Sequence, residues 1–127
     1  MAALWLGACD NGPSTVPTPP TTPTVTETFT GTVNLNGAVV HSFSTQGAGS
    51  VTATITALNP SGALVGFQMG TWLGSICTIV VSNDLATLSS VLAGNTQSRA
   101  DLCVRLHDPN GLLTANPVTY TVQVAHQ

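Results

Sequence analysis

Nine residues near the middle of the chain limit its fold more than any others. In Ser50-Val51-Thr52-Ala53-Thr54-Ile55-Thr56-Ala57-Leu58, hydroxyl and apolar side chains alternate from Ser50 to Ala57. A period of two puts successive side chains on opposite faces of a strand, so this stretch is predicted as a half-buried β-strand with Val51, Ala53, Ile55 and Ala57 toward a core. Thr52, Thr54 and Thr56 are then predicted to face water. The rest of the sequence agrees with it. Charged residues make up only 6% of the 127 residues, against about 25% in an average soluble domain. Threonine, valine, serine and glycine replace the long helix-forming side chains. The expected fold class is all-β.

Further strands follow from the same alternation. Thr26 to Val33 reads as the first and Ala38 to Thr45 as the second, with Val39, His41 and Phe43 on one face. Asn34-Leu35-Asn36-Gly37 separates them as a turn, with Asn-Gly a hairpin signal. Asn59-Pro60-Ser61-Gly62 stops the third strand, and Ala63 to Met69 reads as a fourth. Gly70 to Ser75 is expected to be a loop bearing Trp72, and Ile76 to Ser82 a buried strand. Asn83 to Gln97 reads as a loop and then a strand. Ala100 to His107 places Leu102, Val104 and Leu106 inward and Cys103, Arg105 and His107 on the other face. After Asp108-Pro109-Asn110-Gly111, a last strand opens at Pro117, with Val118, Tyr120, Val122 and Val124 on one face. About seven to nine short strands between turn signals predict a single antiparallel β-sandwich of jelly-roll type. One domain over residues 26–127 accounts for the length.

The first 25 residues do not belong to that pattern. Residues 10–25 hold five prolines among threonines, which stop helix and ladder alike. They read as a disordered tether reaching up to about 50 Å in polyproline geometry. Ahead of it, Leu6-Gly7-Ala8-Cys9 closely resembles a bacterial lipobox. The resemblance implies cleavage before Cys9 and acylation of its thiol, which would hold the chain to a membrane through two or more acyl chains. A secretory leader carries basic residues and a longer apolar run, so residues 1–9 read as the remnant of one. The expected location is the bacterial cell envelope, on its periplasmic or cell-surface side.

With Cys9 assigned to lipid, Cys77 and Cys103 remain as an even pair in an exported chain. They read as a disulfide closing a loop of about 27 residues, worth about 3–4 kcal/mol, or else as two buried free thiols. The two basic residues, Arg99 and Arg105, and a net charge of −3 leave no footprint for nucleic acid.

The order of His41-Ser42-Phe43, Gly49-Ser50-Val51-Thr52-Ala53-Thr54-Ile55, Cys103-Val104-Arg105-Leu106 and Val118-Thr119-Tyr120-Thr121-Val122 resembles the bacterial pre-peptidase C-terminal (PPC) domain over about residues 27–126. That likeness implies a small jelly-roll module appended to exported proteins. Some members bind collagen and calcium. Here the aromatic expected at the His41 position is missing, and carboxylates are too few for a calcium cage.

No catalytic fingerprint is found in the sequence. Asp84 and Asp108 stand in turn contexts, His41 beside Phe43 reads as a core or rim residue, His107 as solvated, and His126 as frayed. Neither a catalytic residue nor a metal or cofactor site is expected. Trp72, between glycines, either stacks on a sugar or partner pocket or caps one end of the core. The expected role is a non-catalytic binding module for a cell-surface protein or polysaccharide. The alternative is a structural subunit that self-associates through its sheet edges into a layer or fibre.

Overall fold

A computed structural model describes residues 23–109 and 117–127. Eight strands run in chain order: β1 (Val25–Val33), β2 (Ala38–Ser44), β3 (Gly49–Asn59), β4 (Val65–Trp72), β5 (Cys77–Ala86), β6 (Val91–Thr96), β7 (Asp101–His107) and β8 (Val118–His126). They form two antiparallel four-stranded sheets, ordered β1-β8-β3-β6 and β2-β7-β4-β5. This is the jelly-roll sandwich that the alternation predicted.

The core lies between the sheets. Val118, Tyr120, Val122 and Val124 supply it from β8, and Leu102, Val104 and Leu106 from β7. Val51, Ala53 and Ile55 supply it from β3, but Ala57 does not. A bulge between Ile55 and Ala57 shifts the register by one residue, so Leu58 is buried in its place and Ala57 is exposed. One inserted residue reverses the parity of everything beyond it.

The Asn34–Gly37 turn exists but makes no hairpin. Gly37 N donates to Asn34 O at 2.8 Å, and Asn36 alone takes a positive φ of 61°, whereas a type I′ hairpin turn needs two such residues. β1 pairs with β8 and β2 with β7, so the turn carries the chain from one sheet to the other. Asp108 secures it. That carboxylate is buried and accepts from Asn36 N at 2.7 Å, capping a turn far away in sequence.

Among the described residues, β4 and β5 form the one hairpin between consecutive strands. Trp72 belongs to β4, because Thr71 and Trp72 continue the ladder opposite Thr78 and Cys77. The expected loop shrinks to residues 73–76. Residues 83–86, expected in a loop, extend β5. That strand is not buried but forms an edge, and most of its residues are exposed. An apolar run has no periodicity that separates a central strand from an edge.

β5 also folds back over its neighbour. Strands two places apart lie about 9.5 Å from one another, yet the Cα atoms of Cys77 on β5 and Cys103 on β7 are 5.9 Å apart. Gly70 on β4, between them, allows this: a Cβ there would occupy the place of the Thr78 carbonyl oxygen. Gly70→Ala is therefore expected to cost about 1–3 kcal/mol or more in urea unfolding. Gly62→Ala, where an added Cβ meets nothing within 4 Å, should unfold near the wild-type midpoint. Equal midpoints for the two variants would contradict the crossing.

Candidate functional site

The expected lipid site, Cys9, and the Pro/Thr-rich segment up to residue 22 lie outside the described residues. Cys77 and Cys103 are joined in a disulfide, which points to an extracytoplasmic location. Trp72 is half-buried at the end of β4. Its position in β4 places it on the outer face of the second sheet, with Gln68 and Gly70. Beyond it, Leu73 is 68% exposed and Ile76 63%.

These side chains lead onto one side of the sandwich. β5 and β6 are the ends of their respective sheets and lie against each other. Val80 is 74% and Leu85 70% exposed on β5, and Val91 55% on β6. Between the two strands a cleft of about 160 Å³ reaches toward the core, lined by Val51, Met69, Val81, Ala93 and Leu102. No charged side chain borders it.

The opposite side is closed. There β1 and β2 are the sheet ends, and five rings stack between them from alternate sheets. His126 stacks on Phe43 at 5.4 Å, Phe43 meets Phe29 at 6.3 Å, and Phe29 stacks on His41 at 4.9 Å. His41 meets the edge of Tyr120, with its Nε2 2.7 Å from the phenol oxygen. Burial pushes the Tyr120 phenol up to about 12, so it is no nucleophile near neutrality. His126, expected to be frayed, is buried. Its Nε2 lies 2.5 Å from Glu27 Oε2 and its Nδ1 2.8 Å from the Gln127 carbonyl. Glu27 shares the inward parity of Phe29, Gly31 and Val33 on β1, but its partner His126 lies 99 residues away in sequence.

The outer face of the second sheet carries the remaining polar groups. Arg105 Nη1 donates to Gln68 Oε1 at 2.7 Å. His107, expected to be solvated, has its side chain only 14% exposed. Its ring lies over Gly66, where a Cβ would collide with it. Its buried Nε2 is 3.4 Å from Asp84 Oδ1 but makes no hydrogen bond. No hydroxyl or thiol is hydrogen-bonded to His107 among the described residues, so the His107–Asp84 contact lacks a nucleophile to activate. Among the described residues, no three His, Cys, Asp or Glu side chains gather where a metal ion would fit. A groove of about 420 Å³ lies over β1, β8 and β3. It is lined mainly by the threonines Thr30, Thr32, Thr119 and Thr121, with Asn59 and Tyr120.

No protein-family model matches the chain, and no curated protein matches it in sequence.

The ring stack makes stability depend on pH. Burial holds the His41 ring below the ordinary histidine value, so the folded state favours the neutral ring. This contribution is complete above the unfolded value near 6.5 and is lost as pH falls through the lowered folded value. His41→Phe keeps a stacking ring and removes the titration. Between about pH 7.5 and about pH 5, the wild type is expected to lose more of its urea midpoint than the variant does. Parallel losses would show that His41 does not titrate within the folded core.

Proposed function

We propose that the chain is a non-catalytic interaction module of the bacterial cell envelope. Acyl chains on Cys9 hold it, residues 10–25 space it from the membrane, and a PPC-like sandwich is displayed to a cell-surface protein or polysaccharide. The observation that carries this reading is the uncovered apolar surface running from the Trp72–Leu73 tip along the β5–β6 side. Exposed large apolar side chains grouped on one side of a domain are a mark of interaction sites. The disulfide is in keeping with an envelope location. The non-catalytic part of the reading rests on the absence of a catalytic fingerprint from the sequence.

A second reading is a subunit that assembles through its sheet edges. It is favoured by the sequence of those edges. The chain contains no lysine, which protects many exposed edges. β6 carries no charge of any kind.

The anchor is tested by the intact mass of protein taken from its native membrane, with and without reduction. Loss of residues 1–8 together with added acyl mass at Cys9 is expected, along with a gain of two hydrogens on reduction. An unacylated chain that retains Met1 would remove the envelope argument. Leu73→Ser, at an exposed position, should leave stability unchanged and weaken retention on envelope material. Unchanged retention would exclude the hairpin tip as the contact.

A further inference from the structure

We infer that the open β5–β6 side receives a second copy of this chain, with the two β6 strands pairing antiparallel about a two-fold axis near Ala93. The inference rests on reading that side as the interaction surface, and it names the partner.

β6 is a regular edge. Its ladder with β3 runs unbroken from Gly49↔Thr96 to Thr54↔Val91, so its free margin presents the alternating N–H and C=O groups of an undistorted strand. Such a margin is complementary to itself under a two-fold rotation. Val91-Leu92-Ala93-Gly94-Asn95-Thr96 contains no proline and no charge, so a second β6 meets it with no like charges opposed. With the axis at Ala93, that residue faces its own copy and Val91 faces Asn95. All three are exposed on the outer face.

The other edges suit this pairing less well. β5 has two register shifts against β4, which break the regularity of its free margin. β1 holds Glu27 turned inward to His126, a device that blocks edge pairing. β2 lies in the closed ring stack.

β5 supplies the second part of the argument. It lies against β6 in the other layer, so pairing two β6 strands brings both β5 strands to the axis. Val80, Ile79 and Leu85, all exposed in the single chain, then bury against their copies and cover the cleft beside Val81. An extended peptide from another protein would satisfy the β6 margin alone. A second copy brings an uncharged strand and a matching apolar flank in one rigid body. Because the contact is isologous and the β1–β2 side is closed, the assembly stops at two copies rather than growing into a fibre.

The test is sedimentation equilibrium of the purified full chain over a wide concentration range. The wild type is expected to shift from monomer to dimer and no further. Ala93→Lys, which opposes two like charges at the axis, should weaken dimerisation at least about tenfold, and so should Val80→Lys. Val25→Lys, on the far side, should dimerise as the wild type does. All three positions are exposed, and matching urea midpoints confirm that the variants fold. A monomer at every concentration, or an Ala93→Lys chain that dimerises normally, overturns the inference.

A photo-crosslinking residue at Val80 in the native envelope separates this inference from the reading beneath it. An adduct with a second copy supports both. An adduct with a different protein overturns the second copy and leaves the interaction surface standing. The absence of any adduct overturns both.

Discussion

Among the described residues no ladder of backbone hydrogen bonds joins the two sheets along either side of the sandwich, so side chains must close each side, and they do so differently. Along β1 and β2, rings from alternate sheets interleave from His126 to Tyr120, with Glu27 and Tyr120 holding the two histidines in place. Stacked and edge-on rings bury much area at fixed spacing, and this seam stands in for the missing ladder. Along β5 and β6 no comparable seam forms. Apolar side chains that would complete a core remain in contact with water, and a cleft opens between the sheets. The directional character of the molecule, one side closed and one side open, follows from this contrast.

The disulfide and Gly70 determine where the open side lies. The first residues of β5 cross over β4 at Gly70 and are tied to the central strand β7. This draws the start of β5 onto the outer face, beside Trp72, and leaves the rest of the strand as a bulged edge. β6 stays straight beside it. The open side is thus a regular strand margin flanked by exposed apolar side chains. On the outer face of the second sheet Arg105 is hydrogen-bonded to Gln68, whereas His107 only approaches Asp84.

Much of the fold is legible in the sequence, because alternation reports burial directly wherever a strand is regular. Val118 to Val124 and Leu102 to Leu106 face the core as their parity predicts. The disulfide is legible as the pair left after Cys9 is set aside. Pairing partners are less legible. Asn36-Gly37 announces a turn, but only the tertiary structure decides that the turn crosses between sheets. The bulge that exposes Ala57 comes from pairing with β8, and no residue within the strand signals it. β5 misleads because an apolar run looks the same at the centre of a sheet and at its edge. The fixing of His126 depends on Glu27, a residue far away in sequence. The open side was therefore the least predictable feature, since edges are defined by what does not pair.

The most direct test of this contrast is amide hydrogen exchange followed residue by residue at low and high protein concentration. The account predicts that β1 amides bonded to β8 are protected at both concentrations, and that outward-facing amides of β6 exchange freely when dilute and become protected when concentrated. Rapid exchange along β1 at every concentration, or β6 amides that never gain protection, would contradict a molecule closed along one side and open to its own copy along the other.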